Sequence, residues 1–160
     1  MSQQNEQFDE IFDVLVVGSG CGGLTAALTA DIAAPAKVLV IEKSHLIGGT
    51  SATSGGVIWI PDNHLGKEKG AEDSIAEAKQ YLQATIPEDE FNEPLIDTYL
   101  DQGPKMVKFM EDNTDARYTS LEHYPDYFQD APGVKLGNRA LEPLPVSADT
   151  LDDDVDNLHP

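Results

Sequence analysis

The apolar residues of this chain fall into short runs punctuated by glycine, proline and polar stretches. Residues 14–17, Val-Leu-Val-Val, form a continuous apolar run of strand length, and a stretch rich in alanine and leucine follows over 24–34. A second run over 37–41, Lys-Val-Leu-Val-Ile, ends on Glu42. This order predicts a β-α-β unit whose helix stops at Pro35, a residue that cannot continue it. Residues 57–60, Val-Ile-Trp-Ile, predict a further strand closed by Pro61.

Past that strand the period becomes helical. Ile75, Ala78, Leu82 and Thr85 recur at helical spacing, Ser74 and Glu77 make a capping box, and Pro87 marks the stop. Asn92 predicts the next N-cap, with Phe91 and Ile96 as a staple and Leu95, Tyr99 and Leu100 as the inner face. Gly103-Pro104 predicts a break, followed by a separate helix over 104–112 lined by Met106, Val107 and Met110. Residues 117–121 suit a short strand. The proline-rich stretch 122–145 predicts an ordered irregular segment or hairpin.

Between the first strand and the first helix lies Gly18-Ser-Gly20-Cys-Gly22-Gly23. Gly18 permits the tight turn, Gly20 lets the backbone approach a pyrophosphate, and Gly23 lets the helix pack closely on the sheet. The helix N-terminus then offers free N–H groups and its positive dipole end to the phosphates. Glu42, at the tip of the second strand, is placed to accept ribose hydroxyls. Its charge favours an unphosphorylated ribose, as in NAD or the adenosine half of FAD. A βαβ turn without a ligand is the alternative. The fold class is α/β: a Rossmann-like βαβ start on a parallel sheet with added helices, incomplete in 160 residues.

Composition narrows the partners. The 29 acids against 10 bases, a net charge of −19, argue against nucleic acid or an anionic membrane surface. Cys21 is the single cysteine, which excludes an internal disulfide and fits a reducing compartment, with the cytoplasm as default location. No apolar run approaches the roughly 20 residues of a transmembrane helix. Residues 1–10 read as a flexible leader, 11–145 as the N-terminal part of a nucleotide-binding domain, and 146–160 as a disordered acidic tail.

Residues 43–56 form a loop rich in Gly, Ser and Thr, Gly48-Gly49-Thr50-Ser51-Ala-Thr-Ser54-Gly55-Gly56, set between two buried elements. Its donors suit an anion or the edge of a heteroaromatic ring. With the glycine turn and Glu42-Lys43, this spelling resembles the succinate dehydrogenase/fumarate reductase flavoprotein superfamily. The continuation into Ile-Trp-Ile-Pro resembles its 3-ketosteroid dehydrogenase branch, as do Tyr124-Pro-Asp-Tyr127, Pro132-Gly133 and Gly137-x-Arg139-x-Leu-Glu-Pro143.

The resemblance implies a non-covalent, extended FAD. Gly18, Ser19, Gly20, Gly22 and Gly23 would hold the pyrophosphate, and Glu42 the ribose with Lys43 beside it. Gly49, Thr50 and Ser51 would follow the phosphates and ribityl chain, and Ser54, Gly55 and Gly56 the flavin ring. His45 sits several residues before the position of a covalent flavin histidine and receives no role. The resemblance further implies an FAD-dependent dehydrogenase acting on a carbonyl-activated C–C bond, most directly 1,2-dehydrogenation of a 3-ketosteroid with hydride transfer to flavin N5. An electron acceptor would be its second partner. Tyr127, or else Tyr124, would be the active-site tyrosine of this part of the chain; aromatic packing is the alternative for both.

A fumarate-reductase-like flavoprotein is the rival enzyme, although its substrate carboxylates need bases and few are present. A non-catalytic nucleotide-binding fragment is the rival outside catalysis. Cys21 reads as a small filler, and Arg139 as a structural salt bridge. The four histidines have no metal-ligand spacing, so no metal is expected.

Overall fold

The computed structural model describes residues 10–159. The expected leader thus lies outside the described residues except for Glu10. The chain divides into two compact units: the described residues up to Ser54 together with 151–159, and Gly55–Thr150.

The first unit is the βαβ motif. Strand β1, Val14–Val17, pairs in parallel with β2, Val38–Ile41, in a register running from Val14 opposite Val38 to Val17 opposite Ile41. Helix α1, Cys21–Ala33, crosses between them and ends before Pro35. Its residues are small, with Ala27 buried, so its backbone lies close to the sheet. The two strands are not buried on both faces as their apolar runs predict. Val14 and Val16 are half-buried, while Leu15, Val17 and Ile41 are exposed. The 43–56 loop contains a single helical turn, α2, Gly49–Ala52.

Part of the expected acidic tail has backbone structure among the described residues. Ala148–Thr150 and Asp152–Asn157 form 3-10 turns. Leu158 makes a parallel bridge to Ile47, whose N–H and C=O pair with the Asn157 carbonyl and the His159 N–H. Backbone pairing of this kind leaves no trace in composition.

The second unit carries the core. Strands β3, Ile58–Trp59, and β4, Tyr118–Ser120, flank β5, Ala140–Pro143, in an antiparallel sheet of order β3-β5-β4. Ile60, Val107 and Leu141 are buried at its centre, with Ile58, Leu65, Met106 and Tyr118 packed around them. Short helix α3, His64–Glu68, is capped by the buried Asn63, whose Oδ1 accepts the Gly66 N–H and whose amide donates to the Ile60 and Asn138 carbonyls.

Helix α4, Ile75–Thr85, starts at Ser74, whose hydroxyl accepts the Glu77 N–H and donates to the Glu77 carboxylate. Helix α5, Glu93–Asn113, runs without interruption through Gly103-Pro104, against the expected break. Its buried face is Leu100, Gly103, Val107 and Met110, whereas Leu95 and Tyr99 of the expected inner face are exposed. A side chain at Gly103 would meet Ile60 Cδ1 at 3.3 Å. Glycine therefore serves close helix–strand packing, and the burial of this face outweighs the hydrogen bond that Pro104 forgoes.

Candidate functional site

In the first unit the glycine turn has the conformation its sequence requires. Gly18 has φ +99° and donates its N–H to the Ile41 carbonyl at 2.7 Å, joining the turn to the end of β2. A Cβ on Gly23 would stand 2.0 Å from the Gly18 carbonyl oxygen, so no other residue fits. Gly20 is the N-cap of α1 and has no side-chain cap, and the first turn holds no acid. The N–H groups of that turn have no intrahelical acceptors and suit an anion.

Glu42 points to the mouth of the turn. Its Oε2 accepts the Ser19 N–H at 2.9 Å and the Ser19 hydroxyl at 2.7 Å, and Oε1 accepts the Ser44 N–H at 2.9 Å. The Ser44 N–H, then the Ser19 hydroxyl and N–H, lower its pKa to about 2. Ser19 itself is fully buried, and its Oγ also accepts the Gly48 N–H at 3.0 Å. Both Ser19 donors are thus used within the chain. Ser19 braces the turn, Glu42 and the next loop, where the resemblance implies a direct hold on the pyrophosphate.

The two glycine-rich segments meet. Ser51 Oγ accepts the Cys21 N–H at 3.0 Å, and a Cβ on Gly49 would lie 3.9 Å from Gly20 Cα. Gly22 is open, and Lys43, Thr50 and Ser54 are exposed. Gly55 and Gly56 belong to the second unit. Gly55 is open; Gly56 has φ +69°, and a Cβ there would overlap Pro143 Cγ at 2.8 Å.

The second unit holds a cavity of about 410 Å³ walled by Trp59, Tyr81, Tyr124, Tyr127 and Phe128, with Asp126 also in its lining. Tyr127 is 84% exposed. The hydrogen bond to Tyr127, and then its charge, push the Tyr124 phenol above its ordinary pKa. Behind the rings lies a buried ionic group. Arg139 donates through Nε and Nη2 to Asp73 at 2.9 and 2.7 Å and through Nη1 to Asp126 at 2.8 Å. Burial opposes ionisation of Asp73, but the Arg139 hydrogen bonds, the Asp62 N–H and the Arg139 charge together hold its carboxyl below the usual range.

The expected structural salt bridge of Arg139 is therefore present. Its partners Asp73 and Asp126 are not linked to it by any local pattern, because the pairings span 66 and 13 residues, although Asp126 lies within the Tyr124-Pro-Asp-Tyr127 segment. Among the described residues no three His, Cys, Asp or Glu side chains converge as metal ligands. No helix among them is long and apolar enough to cross a membrane.

A strand–turn–helix with an uncapped helix start, a Cβ-excluding glycine and an acid aimed at the turn defines a dinucleotide-binding site. The chain belongs to the FAD binding domain family, whose model matches residues 13–143. FAD is its cofactor, and the amides of Gly20, Gly22 and Gly23 fit a diphosphate, while the Cys21 N–H is held by Ser51 Oγ. The chain is 42% identical over 149 residues to the 3-oxosteroid 1-dehydrogenase of Mycolicibacterium smegmatis, covering 93% of this chain and 26% of that protein. It is 42% identical over 148 residues to the 4-oxocyclohexanecarboxylate 2-dehydrogenase of Sinomonas cyclohexanicum, covering 92% and 25%. The crystal structure of 3-ketosteroid delta1-dehydrogenase from Sterolibacterium denitrificans in complex with 1,4-androstadiene-3,17-dione superposes with a TM-score of 0.85 at 41% identity, covering 92% of this chain and 26% of that one. The chain thus spans about a quarter of the length of the relatives it matches. The superfamily and branch inferred from its glycine-rich loops agree with these matches.

Proposed function

We propose that this chain supplies the FAD cradle and part of the substrate wall of a dehydrogenase that introduces a double bond beside a ketone, with a 3-ketosteroid as substrate. The cradle comprises the amides of Gly20, Gly22 and Gly23 for the diphosphate, with Gly18 forming the turn that presents them, and Glu42 for the ribose. Ser19 braces the turn and Lys43 flanks Glu42. Gly49, Thr50 and Ser51 follow the phosphates and ribityl chain, and Ser54, Gly55 and Gly56 the flavin ring. When bound, FAD supplies hydride acceptance at flavin N5. Tyr127 is the residue of this chain that faces the substrate, with Tyr124 beside it in the cavity wall. The reaction runs in the cytoplasm and passes its electrons to a separate acceptor.

One observation supports the choice of substrate class: among the described residues, the aromatic cavity offers no available cation. Its wall contains no lysine, arginine or histidine, and Arg139 behind it is 1% exposed and already paired with two carboxylates. A neutral polycyclic ketone suits such a wall through apolar burial. A substrate carboxylate finds no charge partner there, which disfavours fumarate and 4-oxocyclohexanecarboxylate. The test is flavin-loaded protein assayed with an artificial electron acceptor against a 3-ketosteroid, 4-oxocyclohexanecarboxylate and succinate. Turnover of the steroid alone is expected. Turnover of either carboxylate in preference to it would overturn the assignment.

A further inference from the structure

The rings that wall the cavity do not set their own positions. Trp59 Nε1 donates to Asp126 Oδ1 at 2.6 Å. Asp126 Oδ2 accepts from Arg139 at 2.8 Å and from the Lys135 N–H at 2.9 Å, while the Asp126 N–H donates to the Lys135 carbonyl at 2.9 Å. The Tyr81 hydroxyl accepts the Phe128 N–H at 3.1 Å. The Arg139 guanidinium lies over the Trp59 ring, 5.5 Å from its centroid, and over the Tyr81 ring at 5.9 Å. Asp73, which takes the other side of Arg139, also accepts the Ser74 N–H at the start of α4, the helix that carries Tyr81. One buried cation is therefore tied to β3, to α4 and to the 124–128 segment, and it does not itself line the cavity.

We infer that Arg139 and Asp126 are positioning residues: their buried ion pair fixes Trp59, Tyr81 and the Tyr124–Phe128 segment as one rigid wall for the substrate ring. This rests on the steroid reading above only for the identity of the ligand. A buried ion pair is weak evidence of added stability, because desolvation offsets much of its attraction, but it selects one geometry among packings that apolar rings alone leave nearly equivalent. Arginine is required because three of its donors are used in a planar fork that lysine cannot reproduce.

The test uses Trp59, the single tryptophan of the chain, as a reporter beside the cavity. Asp126→Asn and Arg139→Lys keep side-chain size and remove the charge or the fork. Tyr81→Phe keeps the ring and deletes the acceptor for Phe128. Leu100→Ala trims the buried face of α5 and removes none of the network's hydrogen bonds. Acrylamide quenching of Trp59 in the ligand-free protein should rise in the first three variants and stay unchanged in Leu100→Ala, with folding checked by circular dichroism. Titration with 1,4-androstadiene-3,17-dione should show affinity about tenfold weaker in Asp126→Asn, equivalent to about 1.4 kcal/mol. If Arg139→Lys does not fold, Tyr81→Phe and Asp126→Asn decide the matter. Folded variants with wild-type quenching and wild-type affinity would overturn the positioning role. Failure of the wild type to bind the steroid would overturn the substrate reading instead, and the quenching comparison would still decide the role of the ion pair.

Discussion

The two units of this chain are ordered by different physics. In the first, Ala27 is the buried apolar residue among those described, and the arrangement depends on backbone geometry and hydrogen bonds around Gly18, Ser19, Glu42 and Gly48. In the second, Ile60, Leu100, Val107 and Leu141 are almost wholly removed from water, and a buried arginine joins its segments. On the reading proposed above, the first unit presents amides to an anion and the second holds rings in place. A site can thus be specified by a local motif with little core beneath it, while a wall of side chains needs a packed interior behind it.

The largest expected effect separates the units through the core. Leu141→Ala should lower the stability of the second unit by about 2–5 kcal/mol, as for other large-to-small changes at buried sites. Denaturant unfolding followed by Trp59 emission measures it; a change below about 1 kcal/mol would contradict a core centred on β5.

Next comes Gly23→Ala, whose Cβ would overlap the Gly18 carbonyl. FAD affinity should fall by roughly a hundredfold, about 2.7 kcal/mol, with hydrogen exchange in the second unit unaltered. Equal loss of protection in both units would erase the distinction drawn between them.

Pro104→Ala tests how far burial overrides a helix breaker. It restores an N–H for the Leu100 carbonyl within α5, and stability should rise by about 1–3 kcal/mol. A fall in melting temperature would show that the ring contributes more by packing than it loses in hydrogen bonding.

The smallest effect concerns Glu42. Its folded pKa of about 2 lies below the ordinary carboxylate value of 4.5 because the charged form accepts the Ser44 and Ser19 hydrogen bonds. Its contribution to stability is therefore complete above pH 4.5 and is lost as pH falls toward 2. The stability difference between Glu42→Gln and the wild type should shrink across that window. A difference constant down to pH 2 would mean that the charge is not what holds the turn.

Much of the first unit is legible in the sequence because its signals are local: an apolar run, a glycine spacing, a helix and an acid in register. The same local logic locates the Ser74 cap and the Asn92 cap. It fails where contacts between distant residues decide. Gly103-Pro104 reads as a break until Ile60 is set against Gly103. Residues 140–143 read as a possible hairpin arm, and only pairing with β3 and β4 makes them the central strand. Asp73 carries no motif, and Asp126 stands in Tyr124-Pro-Asp-Tyr127 with no sign of its partner; both gain meaning from Arg139. The resemblance makes Ser19 part of the cofactor's grip, yet its burial against Glu42 turns both its donors inward.

The most direct measurement is a titration of FAD into isotopically labelled protein, followed amide by amide by NMR. One bound FAD is expected, with the largest shifts at Gly20, Cys21, Gly22 and Gly23, and further shifts at Gly49–Ser51. Silence at the glycine-turn amides, with binding elsewhere or absent, would contradict a cradle built on that turn.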